Sequence, residues 1–151
     1  MRISAKVDYA VRASLELAAA GDDPIKGEQI SEAQEIPLKF LENILGELKH
    51  SGIIASRRGA QGGYWLAKPA EEISLAEIVR AVEGPLATVR GQGPESLEYR
   101  GEAAPLQKVW IALRANLRAV MDDTTLADVV GGDLPPAVRE LSEPAEAWST
   151  R

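Results

Sequence analysis

Four apolar residues, Leu41, Ile44, Leu45 and Leu48, recur at i, i+3, i+4 and i+7, and the pattern stops at Gly52. That spacing draws one apolar stripe along a helix, and the stripe has to be buried against other elements. Gly52 supplies a helix-ending residue. Two short apolar runs follow, Ile53 to Ser56 and Tyr64 to Leu66. Between them Gly59-Ala60-Gln61-Gly62-Gly63 has the composition of a hairpin turn. Helix, strand, turn, strand in this order restricts the fold to those in which a two-stranded hairpin leans on a helical core.

The flanking residues supply that core. Ser4 to Ala20 carries Val7, Ala10, Val11, Leu15, Leu17 and Ala18 and predicts a first helix, ended by the turn residues Gly21-Asp22-Asp23-Pro24. Lys26 to Gln34 predicts a short second helix with Ile30 and Ala33 on one face. Pro37 stands where the third helix begins, a position at which its missing N–H costs nothing. The third helix then runs from Leu38 to Ser51, and two helices across a short turn read as a helix-turn-helix. Lys68-Pro69 closes the hairpin, and Ser74-Leu75-Ala76-Glu77 is a capping box opening a fourth helix through Ile78, Val79 and Val82 to Gly84-Pro85.

The second half is organised differently. Residues 85–105 are interrupted by Gly91, Gly93, Pro94, Gly101 and Pro105, an irregular loop too long for a simple connector. A long helix follows, from Leu106 to Asp122. Its Leu106, Trp110, Leu113, Leu117 and Val120 alternate four and three apart, the seam of a helix that pairs with another helix. The seam has no evident local cover, so pairing with a second copy is expected. Thr125 to Val130 suits a short helix, and residues 133–151, rich in Pro, Glu, Ser and Ala, are expected to be poorly ordered. The expected organisation is therefore mainly α. A winged helix-turn-helix domain with a two-stranded wing spans residues 1–84, the loop 85–105, the dimerisation helix and a short helix 106–132, and a flexible tail 133–151.

Composition removes several function classes. The 151 residues include no cysteine, which excludes disulfides, zinc–thiolate sites and thiolate-held iron–sulfur clusters. His50 is the one histidine, at a helix end where it suits the helix dipole. No nucleophile–base pair can be assembled around it, so an enzyme is not expected. No apolar run approaches the roughly 20 residues that span a bilayer, and the first residues lack a signal-peptide core, so a cytoplasmic location is expected. The formal charge is −6, but it is unevenly spread. Residues 1–68 hold nine Lys/Arg against nine Asp/Glu, and residues 69–151 hold eight against fourteen. A local basic face in the first half remains compatible with phosphate, because the local field governs that attraction.

Candidate binding residues lie in the same stretch as the opening pattern. Pro37, Leu38, Lys39, Glu42 and Asn43 form the outward side of the third helix's first turns. Asn can pair with adenine, Glu can accept from a cytosine amine, and Lys can donate to guanine or phosphate. On an isolated helix the plain alternative, a solvated face, would be favoured. Arg57, Arg58, Gly59 and Gln61 sit at the hairpin tip, where an arginine can enter a narrow minor groove and glycine lets backbone approach phosphate. Gly59 to Gly63 lacks the Lys-Ser/Thr ending of a nucleotide-binding loop. Trp65 is expected to pack the hairpin onto the helical core. A small-molecule pocket is conceivable beside Leu86 and Trp110.

Four segments together resemble the Rrf-two family of bacterial transcription regulators, over roughly residues 1–132. They are Ile3-Ser4-Ala5-Lys6-Val7-Asp8-Tyr9-Ala10-Val11-Arg12-Ala13; Ile36-Pro37-Leu38-Lys39-Phe40-Leu41-Glu42-Asn43-Ile44-Leu45; Arg58-Gly59-Ala60-Gln61-Gly62-Gly63-Tyr64-Trp65-Leu66-Ala67; and Ile73-Ser74-Leu75-Ala76-Glu77-Ile78-Val79-Arg80-Ala81-Val82-Glu83-Gly84. The resemblance implies a homodimer on palindromic double-stranded promoter DNA, with the third helix in the major groove and Arg58 in the minor groove. Family members with a cluster hold it through three cysteines in the loop before the long helix. Here Gln92, Glu98 and Ala104 stand about there, and Gln107 stands where some members place a histidine. Asp8 is at a position used as a ligand in some relatives and is read here as structural. The expected function is thus a cluster-free DNA-binding regulator acting as a repressor, with a small-molecule or protein effector left open. The alternative is a protein-interaction module on the same scaffold, which the acidic second half would suit.

Overall fold

A computed structural model describes residues 2–150 of the chain. Seven helices and one two-stranded sheet follow in the order α1 (Ala5–Ala20), α2 (Gly27–Gln34), α3 (Leu38–His50), β1 (Ile54–Arg57), β2 (Gly63–Leu66), α4 (Leu75–Glu83), α5 (Leu106–Met121), α6 (Leu126–Gly131) and α7 (Pro136–Ser142). Ser4 caps α1, its hydroxyl accepting from the Val7 N–H at 3.1 Å. The capping box is present at α4: Ser74 Oγ accepts from Glu77 N–H, and the Glu77 carboxylate accepts from Ser74 N–H at 3.1 Å. Lys68 Nζ donates to the same carboxylate at 2.7 Å and ties the end of the hairpin to the start of α4. Burial opposes the charge on Glu77, but the bonds from Lys68 and Ser74 outweigh it and hold its carboxyl below the usual range.

The core lies where α1, α3 and α4 meet. Leu17, Leu41, Ile44, Leu45, Leu48 and Ile78 are fully buried there. The stripe on α3 therefore faces inward as its spacing requires. A buried leucine of this kind stabilises a fold by about 1.5–3 kcal/mol relative to an exposed one. Leu126 of α6 is in the same core, and its N–H donates to Ile73 O at 3.0 Å while Leu75 N–H donates to Thr124 O at 2.9 Å. The short helix grouped with α5 on sequence thus packs with the first domain. Two backbone bonds draw the chain back there after α5.

The hairpin is antiparallel, with Ile54 opposite Leu66 and Arg57 opposite Gly63. Its base is stapled to α3: Ile53 N–H donates to Leu48 O at 3.0 Å, and Ala67 N–H donates to Ile53 O at 2.9 Å. Ile53 therefore completes the helix end, so β1 starts one residue later than expected. Tyr64 also exchanges backbone bonds with Ile25, at 2.7 and 2.9 Å, and this pins the second strand to the α1–α2 connection. Tyr64 and Leu66 pack on the core, whereas Trp65 between them does not join it. Successive strand residues face opposite sides, so the expected role of Trp65 falls to its two neighbours.

Two further regions gain detail. The tail, expected to be poorly ordered, carries α7 and a 3₁₀ turn at Ala145–Trp148. Val138, Leu141 and Trp148 line a cleft of about 370 Å³ together with Val120 of α5. Packing on α5, rather than local propensity, accounts for a helix this short. Neither Leu86 nor Trp110 lines that cleft. Trp110 instead donates its indole N–H to Tyr99 Oη at 3.0 Å. Among the described residues no helix is long and apolar enough to cross a membrane.

Candidate nucleic-acid interface

The buried stripe of α3 leaves its other side outward. Pro37, Lys39, Glu42 and Asn43 are exposed, and Leu38 is half-buried. Pro37 is the N-cap of α3, so these residues occupy its first turns. Gly46 continues the same side one turn on. It is exposed, and a Cβ there would meet nothing within 4 Å. A mid-helix glycine costs about 1 kcal/mol relative to alanine, and no contact within the chain requires it. Phe40 is 39% exposed beside the polar set, so an aromatic edge joins this face.

Sequence reasoning missed a residue that ties α1 to the end of α2, just before this helix. Arg12 of α1 donates from Nη1 to Gln34 O at 2.7 Å, satisfying a carbonyl at the C-terminus of α2. Its Nε lies 3.0 Å from Asp8 Oδ2 as an ion pair, though not in line for a hydrogen bond. Its guanidinium sits 4.9 Å from the centre of the Tyr9 ring, and Tyr9 meets Phe40 edge-on with centroids 5.7 Å apart. Asp8, Arg12 and Tyr9 thus connect α1 to both sides of the helix-turn-helix corner. The signal in the sequence was the i, i+4 spacing of Asp8 and Arg12, which by itself describes any surface pair.

At the hairpin tip the two arginines separate. Arg57 Nη2 donates to Gln61 O at 3.1 Å and closes the turn. Arg58, Gly59, Ala60 and Gln61 are exposed. Gly62 N–H donates to Gly59 O at 2.9 Å, and a Cβ on Gly62 would lie 2.7 Å from the Arg58 carbonyl carbon and closer still to Arg57 O. Gly62 is therefore required by the backbone, and with it the presentation of Arg58. The tip is thus a tight turn with both arginines exposed, Arg57 bonded to the turn backbone and Arg58 on its surface.

The expected dimerisation residues lie on α5, which has no fully buried residue. Leu106, Trp110, Leu113, Leu117 and Val120 are each half-buried by their own chain. The open apolar positions are Val109, 55% exposed, and Ile111, 39% exposed. The seam is thus partly covered by the preceding loop and by α7, and it continues onto Val109, one turn before Leu113.

A helix-turn-helix with a wing stapled to its second helix defines the class: a winged-helix transcription regulator. The chain belongs to the Rrf2 family, described as an iron-dependent transcriptional regulator, whose model matches residues 3–132. It is 48% identical over 153 residues to a protein of Mycobacterium tuberculosis strain H37Rv that bears the name HTH-type transcriptional regulator, covering 100% of this chain and 95% of that one. It is 34% identical over 131 residues to the HTH-type transcriptional regulator IscR of Serratia proteamaculans, covering 86% and 79%. The structure of CymR, the global cysteine regulator of B. subtilis, superposes with a TM-score of 0.75 at 29% identity, covering 87% of this chain and 98% of that one. These relatives are transcription regulators, not enzymes.

The residues present do not fit an iron–sulfur cluster. There is no thiolate in the chain, and three acidic or histidine side chains do not converge anywhere among the described residues. Asp8 is engaged by Arg12. Gln92 closes a turn with Val89, while Glu98 and Ala104 are exposed. The Gln107 amide nitrogen donates to backbone carbonyls, the nearest being Leu97 O at 2.7 Å.

Proposed function

We propose that the chain binds palindromic promoter DNA as a homodimer in the cytoplasm and represses transcription by occupying it, without an iron–sulfur cluster. The observation that supports this is the exposure of polar side chains both on the first turns of α3 and at the tip of a hairpin whose base is bonded to the end of α3. Lys39, Glu42 and Asn43 on the helix offer a donor, an acceptor and a bidentate amide to base edges in the major groove. Phe40 adds an apolar edge of the kind that meets a thymine methyl. Arg58, exposed on the tip, would enter the minor groove, where the potential is most negative. Repression by occlusion asks for nothing beyond such binding. Two copies paired through the open side of α5 would present two such surfaces to one pseudo-symmetric site.

Titration of the protein's own promoter DNA at several salt concentrations tests this. Arg58→Ala is expected to weaken binding by about 1–3 kcal/mol, as for loss of a specific groove contact. Operator affinity unchanged by that substitution would remove the wing from the interface. Lys39→Ala is expected to reduce the slope of log affinity against log salt by about 1, the signature of one lost phosphate contact. A slope equal to the parent's would assign Lys39 to a base edge or to solvent.

A further inference from the structure

The loop in front of α5 is held by an arrangement that needs no metal. Three α5 side chains at i, i+3 and i+7, Gln107, Trp110 and Arg114, lie along one side of the helix, and all three reach residues 94–99. Gln107 Nε2 stands 2.7 Å from Leu97 O, 3.2 Å from Pro94 O and 3.3 Å from Glu95 O. An amide has two hydrogens, so it satisfies two of these carbonyls at a time, Leu97 first. Trp110 Nε1 donates to Tyr99 Oη at 3.0 Å. The Glu95 carboxylate accepts from its own backbone N–H and from Arg114, and the two together, the backbone bond first, hold that carboxyl below the usual range. Between these polar ties Pro94 and Leu97 are buried, Leu97 only 2% exposed.

Pro94–Ser96 form a single 3₁₀ turn, and the backbone carbonyls of so short a turn and of the loop after it need partners. In this chain the carbonyls of Pro94, Glu95 and Leu97 find one on α5, the Gln107 amide. The family is described as iron-dependent, and the donor set here cannot hold iron–sulfur chemistry. We propose that residues 94–99 and Gln107, Trp110 and Arg114 form a polar latch that fixes the loop before α5 to that helix. Operator binding by this protein is then independent of iron, and Gln107 is the positioning residue of the latch. The iron arm of this inference rests on the operator-binding function proposed above; the latch itself does not.

Two measurements on the full chain decide it. Hydrogen exchange by mass spectrometry is compared between the parent and Gln107→Leu, a change that keeps the side-chain bulk and removes the donor. The latch predicts at least about tenfold faster exchange across residues 94–99, with residues 38–66 unchanged. Exchange in 94–99 that stays at the parent's rate overturns it. If Gln107→Leu disturbs the whole fold, Arg114→Met supplies the same comparison from the other end of the latch. Operator affinity is then measured with ferrous iron and sulfide added anaerobically, and again with a chelator. An allosteric ligand typically changes affinity about 5–150-fold, whereas here the two conditions are expected to agree within about twofold. A larger difference, or a coloured iron-bearing protein, overturns iron independence. Absence of operator binding in every condition defeats the proposed function, and the exchange experiment still judges the latch.

Discussion

Gly62→Ala is expected to spring the wing tip open, lowering stability by about 1–3 kcal/mol, the usual cost of forcing atoms into filled space. The added Cβ would fall 2.7 Å from the Arg58 carbonyl carbon and 2.9 Å from that of Arg57. Those atoms are backbone inside a closed turn, so no side chain can swing aside to make room. Relief has to come from breaking the Gly62 N–H to Gly59 O bond or the Arg57 to Gln61 bond that define the tip. Because the same turn presents Arg58, operator affinity is expected to fall at least as far as in Arg58→Ala. Gly46→Ala gives the contrast: that position is helical, exposed and open, and alanine there should raise helix stability by up to about 1 kcal/mol. Urea unfolding of the two variants, with operator titration of Gly62→Ala, checks both halves. Equal behaviour of the two glycine replacements in urea would show that the tip tolerates the change.

The second large effect concerns α5. Val109→Asp is expected to leave the protomer folded, since Val109 is 55% exposed, and to separate the proposed dimer. A charge at the centre of an apolar contact between two copies has no partner and must be desolvated. Operator affinity should then drop by about 10²–10⁴-fold, because the second half-site no longer benefits from tethering to the first. Sedimentation velocity reads the oligomeric state and titration reads the affinity. A variant that stays dimeric would move the interface off this side of α5.

Much of the helix-turn-helix and wing was legible because it rests on local periodicity. The apolar stripe of α3 sets which side is buried, and burying Leu41, Ile44, Leu45 and Leu48 leaves Lys39, Glu42 and Asn43 no other place than outside. The capping signature at Ser74 and Glu77 marks the start of α4 for the same reason, as both partners lie within one turn. What escaped depends on residues distant in sequence. Arg12 matters because Gln34 O comes to it from another helix. Ile25 matters because Tyr64 pairs with it across the molecule. Trp65 is expected from the sequence to pack the hairpin onto the core, and the alternation along β2 gives that place to Tyr64 and Leu66. The seam on α5 shows the limit of periodicity: a four–three repeat says that one side needs cover, without saying whether the cover is a second copy, a loop or the tail.

The amino-acid sequence by itself determined the helix-turn-helix, the wing, the family and the absence of thiolate chemistry, because these follow from short-range spacing and residue type. Only the tertiary structure decided which wing arginine is engaged in the turn, how far α5 is already covered by its own chain, and how the loop before it is held. Each of those depends on where segments meet: the Arg57 to Gln61 and Gln107 to Leu97 bonds, and for α5 the Trp110 to Tyr99 bond together with α7 against Val120. Such bonds act over about 3 Å, and no pattern in a one-dimensional chain specifies a distance that short between residues a loop apart.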